Sequence, residues 1–324
     1  MTIAKRLGVV AAVTAVALSL VQCDSAPSDT SAPSDTSDAP GPSDKGHKPS
    51  GRPGLARLIT DYTSGFHEDS GYRHPTREDR RAVAAGVALL LDHKRTEAER
   101  RLGDVDFAVR TVTDRASGRR FAEVADRSEG GAAPRGWGRV YIDLESPVRW
   151  SVQIPHPVAD RYTERLGAEL LSRSPGGVLV VAGAHRKAGR GDAADVAHRR
   201  DSVFHAICAE LVRRGLPGVQ LHGMDDDSAP KHDVVASTGR GREAVAEGRD
   251  LADALRERGY DVCRAWARSC PLAGRTNAQG RTAAAHDVPF LHVEFGARIR
   301  EDRDRSRETV EALVDVTRSW RHDG

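Results

Sequence analysis

The sequence predicts an α/β fold with a mixed, mostly parallel central sheet and helices on both faces, preceded by an N-terminal helix and small strands. Three observations predict it. Strand patterns alternate with helical patterns after residue 154, the run 177–182 is apolar throughout, and apolar residues recur at helical spacing between the strands. The stretch 54–324 is long enough for one domain with a substantial core.

The elements before residue 127 are one helix and one hairpin. Apolar residues at helical spacing predict an amphipathic helix over 77–102, with Thr76 as its N-cap. Runs rich in β-branched and aromatic residues at 107–112 and 120–124 flank the turn signal 114–118. We therefore expect an antiparallel hairpin in this N-terminal part of the domain.

The following elements continue to the C-terminus. The predicted strands are 139–144, 148–154, 177–182, 218–221, 233–237 and 288–295. The predicted helices are 160–173, 202–214, 243–258 and 306–318. In an open α/β sheet the ligand lies beyond the carboxyl ends of the strands, so functional residues are expected just after them.

The first 23 residues have the pattern of a secretory signal peptide. A short basic start precedes an uncharged run from 7 to 21, which is shorter than the roughly 20 apolar residues that a membrane span needs. Residues 20–23, Leu-Val-Gln-Cys, resemble a bacterial lipobox in which Cys23 would be lipidated, although Gln22 replaces the usual small residue. We expect an extracytoplasmic protein, either secreted or anchored to the cell membrane by lipid.

Composition limits the remaining possibilities. Residues 24–53 are rich in Ser, Asp and Pro, which predicts a disordered tether before the single domain 54–324. The chain has 49 Lys and Arg against 47 Asp and Glu, so it lacks the basic bias of a nucleic-acid-binding protein. Cys263 and Cys270 are close enough to form a disulfide in an oxidising compartment, with Cys208 as a buried thiol.

Polar side chains lie at or just after the ends of four of the predicted strands. They are His156 and Asp160, then His185 and Arg186, then His222, and finally Glu294. Catalytic zinc takes three nitrogen or oxygen ligands and leaves one position open, a demand that His156, Asp160 and His222 meet. Glu294 is then the candidate general base that activates water at the metal. Arg186, Asn277 and Arg281 are candidates for polarising a carbonyl or holding a substrate carboxylate.

Each assignment has a structural alternative. Asp160 precedes a helix and is equally suited to be its N-cap, in which case Glu164 is the substitute ligand. Arg186 has possible carboxylate partners in Asp195 and Asp201, and Asn277 lies beside Gly274 and Gly280, which indicate a turn. The remaining histidines of this region are expected to support the site or to lie in the core: His185, His198, His205 and His292.

The order of these motifs resembles the zinc carboxypeptidase superfamily, and within it the poly-γ-glutamate hydrolase-like branch. The matching motifs are Ile154-Pro155-His156, Leu221-His222-Gly223, Thr276-Asn277-Ala278-Gln279-Gly280-Arg281 and His292-Val293-Glu294-Phe295-Gly296. The resemblance implies a carboxypeptidase-like fold, zinc held by two histidines and a carboxylate, an Asn–Arg pair on the substrate carboxylate, and a late glutamate as base. His156-x-x-x-Asp160 departs from the family's His-x-x-Glu, and 54–144 has no counterpart.

The sequence and the resemblance together favour a zinc-dependent amidohydrolase or peptidase that cleaves an amide bond near a substrate carboxylate. Cell-wall peptides, γ-glutamyl polymers and N-acyl amino acids are the candidate substrates. The main alternative is a non-catalytic extracytoplasmic lipoprotein that binds an anionic ligand. A phosphate-ester hydrolase that uses His185 and Arg186 is a weaker alternative, because no second phosphate-binding motif accompanies this pair.

Overall fold

The computed structural model describes residues 54–130 and 134–322. The expected signal peptide, the lipid anchor at Cys23 and the tether 24–53 lie outside these residues and stay predictions. Within the described part of the chain, no helix is long and apolar enough to cross a membrane.

The described residues form a mixed α/β structure around one nine-stranded sheet. Its strands are β1 Phe107–Thr113, β2 Arg120–Asp126, β3 Arg139–Asp143, β4 Trp150–Ile154, β5 Gly177–Val181, β6 Gly218–Met224, β7 Val234–Ser237, β8 Val262–Arg264 and β9 Phe290–Gly296. The helices are α1 Leu55–Thr63, α2 Arg77–Leu91, α3 Arg95–Gly103, α4 Thr163–Arg173, α5 Val203–Arg213, α6 Val245–Glu257, α7 Ala278–Ala284, α8 Ala297–Glu301 and α9 Arg303–His322.

The strand order is β1-β2-β3-β5-β4-β6-β9-β7-β8. The four central strands, β5, β4, β6 and β9, run parallel, so their carboxyl ends lie at the same edge. The first three strands extend this sheet by antiparallel pairing, and β3 pairs directly with β5. The N-terminal segment that has no counterpart in the resembled family is therefore the flank of the central sheet.

Helices cover both faces of the sheet, as predicted. On one face, apolar residues of α1, α4, α6 and α9 pack on alternate strand residues such as Leu179 and Val181. On the other face, α2, α3 and α5 pack on the intervening residues, including Val178 and Val180. Strand β5 is apolar on both faces because both are covered by helices.

The single helix predicted over 77–102 is wrong. The structure has two helices, α2 and α3, with a break at residues 92–94. His93 has φ +61°, a left-handed conformation that terminates a helix. The predicted start is confirmed, because Thr76 accepts a hydrogen bond from the Asp79 backbone N–H and the Asp79 carboxylate accepts one from the backbone N–H of Thr76.

Strands β4, β6 and β9 differ from β5, because they alternate apolar and polar residues. Val219 and Leu221 of β6 belong to the apolar core, whereas Gln220 and His222 point to the opposite face. All four are buried. The second face of the central strands therefore carries a buried polar layer, and this layer contains the candidate site.

The predicted cysteine arrangement is confirmed within the described residues. Cys263 of β8 and Cys270 form a disulfide, and Cys208 is a free, buried thiol in α5.

Candidate metal centre

His156 and Asp160 lie in the loop between β4 and α4. The Asp160 backbone N–H donates to the carbonyl of His156 at 2.9 Å, which closes a turn. Val158 and Tyr162 have φ of +68° and +71°, a conformation that non-glycine residues adopt rarely. This sharply bent backbone returns Asp160 toward His156, and His156 Nδ1 lies 3.2 Å from Asp160 Oδ2.

Asp160 is not the N-cap of α4, because Tyr162 occupies that position. Asp160 Oδ2 instead lies 3.2 Å from Nδ1 of His156 and 3.2 Å from Nδ1 of His222. The ligand atoms of these three buried residues all lie within 4.8 Å of one another. Glu164 is outside this cluster, in the first turn of α4, where burial raises the pKa of its carboxyl group. The structure thus brings together the predicted set with Asp160 as its carboxylate.

The other ring nitrogen of each histidine contacts a hydrogen-bond acceptor. His156 Nε2 lies 2.8 Å from Asp195 Oδ1, and His222 Nε2 lies 2.7 Å from Gln220 Oε1. The amide orientation of Gln220 is fixed, since its Nε2 donates to the side-chain oxygens of two other buried glutamines. In His222, Nε2 is therefore the nitrogen that carries the proton, and in His156 the closer carboxylate, that of Asp195, faces Nε2.

This arrangement fits a metal cation. A neutral imidazole has one N–H, so with the proton on Nε2 each Nδ1 presents a lone pair. Two such lone pairs face one carboxylate oxygen of Asp160 at 3.2 Å, a repulsive contact unless a cation lies between them. Metal-bound histidines usually donate their second ring N–H to a carboxylate or another oxygen acceptor, as His156 and His222 do here.

The electrostatic environment keeps His222 neutral and Asp160 ionised, the forms that bind a metal. Burial lowers the pKa of His222 to about 4, with a further contribution from His292, so its imidazole is neutral at neutral pH. Burial alone would raise the pKa of Asp160, but hydrogen bonds with both histidines hold it well below its usual range. For His156, burial acts to lower the pKa, and hydrogen bonds with Asp160 and Asp195 outweigh it and raise the pKa. The carboxylates are charged and available as ligands.

Glu294 lies beside His222, because the two are Cα partners on the parallel strands β9 and β6. Residues paired in this way point to the same face of a sheet. Both side chains line a cavity of about 340 Å³, together with Asp160. Glu294 is buried, and its Oε1 lies 3.2 Å from Nε2 of His292. The predicted base therefore shares one cleft with two of the predicted ligands, Asp160 and His222.

Arg186 lines the same cavity, but its guanidinium is engaged. Its Nη2 donates to Asp195 Oδ2 at 2.7 Å, and the other oxygen of that carboxylate contacts His156. The alternative pairing of Arg186 with a carboxylate is therefore confirmed. Arg186 therefore holds the carboxylate of Asp195, which in turn contacts the candidate ligand His156.

Asn277 and Arg281 are outside the residues that line the cavity. Asn277 is the N-cap of α7, where its Oδ1 accepts from the Gly280 backbone N–H, and its Nδ2 donates to Gln220 Oε1. Arg281 is exposed on α7. The structure supports the turn interpretation of Asn277. Neither Asn277 nor Arg281 contacts His156, Asp160 or His222, because α7 packs on the side of the buried polar layer where Gln220 lies.

The remaining histidines have separate environments. His185 lines the cavity, and His198 is half exposed with Nδ1 3.2 Å from Asp195 Oδ2. His205 is buried on α5, where its Nδ1 lies 3.2 Å from the amide nitrogen of Gln279.

Three residues at or beside the centre carried no prediction of a role there: Asp195, Gln220 and Arg300. Gln220 had a signal, since it lies two residues before His222 and so faces the same side of the strand. Asp195 comes from the loop between β5 and α5, and Arg300 comes from α8. Only the tertiary fold brings these two to the site.

The protein is thus a mixed α/β protein with a His–Asp–His cluster near the carboxyl ends of its parallel strands. No family model and no curated protein matches the chain. Among solved structures, N-formylglutamate amidohydrolase from Ralstonia eutropha JMP134 is similar with 12% identity and a TM-score of 0.43, over 58% of this chain and 100% of that chain.

Two further solved structures are similar to parts of this chain. A metallo-carboxypeptidase from Burkholderia cenocepacia has 12% identity and a TM-score of 0.38, over 76% of this chain and 69% of that one. The zinc-free form of YndL has 14% identity and a TM-score of 0.36, over 55% of this chain and 88% of that one. At TM-scores below 0.5, the similarities assign no role to any residue.

Proposed function

We propose that this protein is an extracytoplasmic zinc-dependent amidohydrolase or peptidase that cleaves an amide bond near a substrate carboxylate. One observation carries the proposal. Nδ1 atoms of two buried histidines converge on one oxygen of Asp160, at the edge of a cavity that Glu294 also lines.

Zinc is the metal that suits this donor set. Two imidazole nitrogens and one carboxylate oxygen match the three protein ligands of hydrolytic zinc sites, and the open cavity leaves room for water and substrate. When bound, the ion would polarise the substrate carbonyl and lower the pKa of water at the site. His156, Asp160 and His222 would hold it.

Glu294 has the position of a general base. It faces the same side of the sheet as His222 on the adjacent strand, so its carboxylate lies next to the candidate metal site. It would accept a proton from the attacking water and pass that proton to the leaving amine as the amide bond breaks. His292 lies 3.2 Å from Glu294 Oε1 and would hold this oxygen, which leaves the second oxygen free for proton transfer.

The cavity wall favours an anionic substrate. Its basic side chains are Arg161, Arg186, Lys187 and Arg300. A substrate with a carboxylate near the scissile amide would be attracted by these charges. γ-Glutamyl peptides, cell-wall peptides and N-acyl amino acids all have this chemistry.

Export is part of the proposal. The disulfide between Cys263 and Cys270 is typical of proteins that fold in an oxidising compartment. This supports the localisation expected from the first 23 residues, and a lipid on Cys23 would attach the domain to the membrane.

Metal content and turnover test the proposal together. Purified protein should hold about one zinc ion per chain, and His222→Ala should lose it, because that change removes one of the three ligands that zinc requires. Glu294→Gln should keep the metal and lower kcat by about 10²- to 10⁴-fold. Glu68→Gln is the matched control, since Glu68 also lines the cavity but is exposed and pairs with Lys187.

The same measurements separate an enzyme from a binding protein. A panel of γ-glutamyl peptides, N-acyl amino acids and cell-wall peptides would supply the substrates. A protein that binds zinc and anionic ligands but cleaves no member of the panel is the non-catalytic alternative. Protein without stoichiometric metal, or Glu294→Gln with undiminished turnover, contradicts the proposed chemistry.

A further inference from the structure

Arg300 is a buried arginine next to the candidate metal centre. It lies on α8, directly after β9, and only 4% of the residue is exposed. It nevertheless lines the cavity that contains Asp160, His222 and Glu294. No role at the site was predicted for it from the sequence.

Backbone carbonyls hold the guanidinium in place. Nε donates to the Phe295 carbonyl at 2.9 Å, Nη1 to that of Arg161 at 2.5 Å, and Nη2 to that of Met224 at 2.9 Å. These carbonyls belong to the ends of β9 and β6 and to the loop before α4. A guanidinium has five N–H donors, so two remain for another acceptor.

Arg300 differs from the other basic residues of the cavity in its charge partner. Arg161 lies 2.7 Å from Glu301, Arg186 lies 2.7 Å from Asp195, and Lys187 lies 3.1 Å from Glu68. Arg300 has no carboxylate oxygen within 4.0 Å among residues 54–130 and 134–322. The guanidinium charge interacts only with more distant carboxylates, foremost that of Asp160, and these and the carbonyl dipoles compensate for its burial only in part.

Gly223 shows how closely the guanidinium approaches the ligands. A Cβ on Gly223 would lie 2.5 Å from Cζ of Arg300, so only glycine leaves the space that the guanidinium occupies. Gly223 directly follows the ligand His222 in β6. An anion bound by Arg300 would therefore lie beside the candidate metal centre.

We propose that Arg300 binds the carboxylate of the substrate, the role for which Asn277 and Arg281 were candidates. The proposal rests on the function proposed above and specifies its substrate class. The substrate carries a free carboxylate close enough to the scissile amide for the carboxylate to reach Arg300 while the amide reaches the metal. Dicarboxylic acyl groups of the glutamyl type have this geometry.

Glutarate and pentanoate test the proposal by calorimetry on the metal-loaded protein. Pentanoate has the same chain length but a methyl group in place of the second carboxylate, so only glutarate can reach the metal and Arg300 together. Charge-assisted hydrogen bonds predict about 10- to 100-fold tighter binding of glutarate. Arg300→Met should remove this preference. Arg298→Met should keep it, because Arg298 also lies on α8 but does not line the cavity and its side chain pairs with Asp226.

A purely structural role for Arg300 predicts a different result. Arg300→Met would then weaken both compounds equally or change the zinc content, and either outcome overturns the proposal. If Arg300→Met does not fold, Gly223→Ala is the second test. Its Cβ would displace the guanidinium of Arg300 while the positive charge remains. It should reduce the preference while zinc content is unchanged, and an intact preference in Gly223→Ala also overturns the proposal.

The two proposals can fail separately. Wild-type protein that prefers glutarate through Arg300 but cleaves no amide contradicts the hydrolase function and leaves the carboxylate site standing. Protein that cleaves amides but shows the same glutarate preference with and without Arg300 contradicts only the role of Arg300.

Discussion

Replacement of Asp195 by Asn tests whether the outer partners of the histidines set up the metal centre. Asp195 Oδ1 lies 2.8 Å from Nε2 of His156, and its carboxylate also binds Arg186. Asn has the same shape but no charge, and it can present an N–H to His156. The proton of the imidazole could then move to Nδ1, which would remove the lone pair that binds the metal.

The expected effect is a loss of metal affinity with little change of fold. Loss of an outer carboxylate typically lowers the metal affinity about 10- to 100-fold, or about 1.4 to 2.7 kcal/mol. We expect a value in this range for Asp195→Asn, because the side chain makes a direct 2.8 Å contact to a ligand that is almost fully buried. Competition titration with a fluorescent zinc chelator measures the affinity, and ¹⁵N chemical shifts of the imidazole report the tautomer.

The chain contains a matched control. Asp201 also contacts a histidine, with Oδ2 2.8 Å from Nε2 of His74, and pairs with Arg199. Asp201 is half exposed and does not line the cavity. Asp201→Asn should therefore leave the zinc affinity unchanged. Equal zinc affinities for the Asp195 and Asp201 variants would refute the reasoning about the outer partners.

Three further predictions concern other parts of the molecule. Burial and nearby arginines lower the pKa of His205 to about 4, so stability is lost as the pH falls from 6.5 toward 4. Between pH 7 and pH 4.5, the free energy of unfolding should fall by about 2 kcal/mol less in His205→Gln than in the wild type, as measured by urea unfolding. Equal decreases in the two proteins would contradict this. Cys263→Ser with Cys270→Ser should lower the free energy of unfolding by roughly 2 kcal/mol, as the seven-residue separation implies, and an unchanged urea midpoint would count against it. His292→Ala should lower kcat through misplacement of Glu294 and keep the zinc content, so a loss of zinc would assign His292 a different role.

The sequence predicted the residues of the candidate centre because their signal is local. His156, His222 and Glu294 each lie at or just beyond the end of a strand, and parallel strands bring such ends to one edge of a sheet. Asp160 could not be separated from an N-cap by sequence alone. Asp160 faces the histidines and is not the N-cap because two residues of its loop, Val158 and Tyr162, have left-handed backbone conformations. Sequence propensities do not predict a positive φ at either residue.

The roles of Asp195 and Arg300 could not be predicted, because both depend on long-range contacts. Asp195 is 39 residues from His156, and Arg300 reaches the carbonyl of Arg161 across 139 residues. The sequence marks the second contact only indirectly, through the glycine at position 223. An isolated glycine in a strand can indicate close approach of another group, but it does not name that group.

The buried amides of the central strands explain why the tautomer of His222 is fixed from a distance. Gln220 donates through Nε2 to Gln153 of β4 and Gln279 of α7, so its Oε1 can only accept. Oε1 accepts from Asn277 Nδ2 and faces Nε2 of His222, which must therefore carry the proton. Hydrogen bonds of this kind stabilise buried polar groups, and the contacts of Gln220 lead to the imidazole of His222. The polar second face of the central strands is thus the part of the fold that orients Nδ1 of His222 toward Asp160.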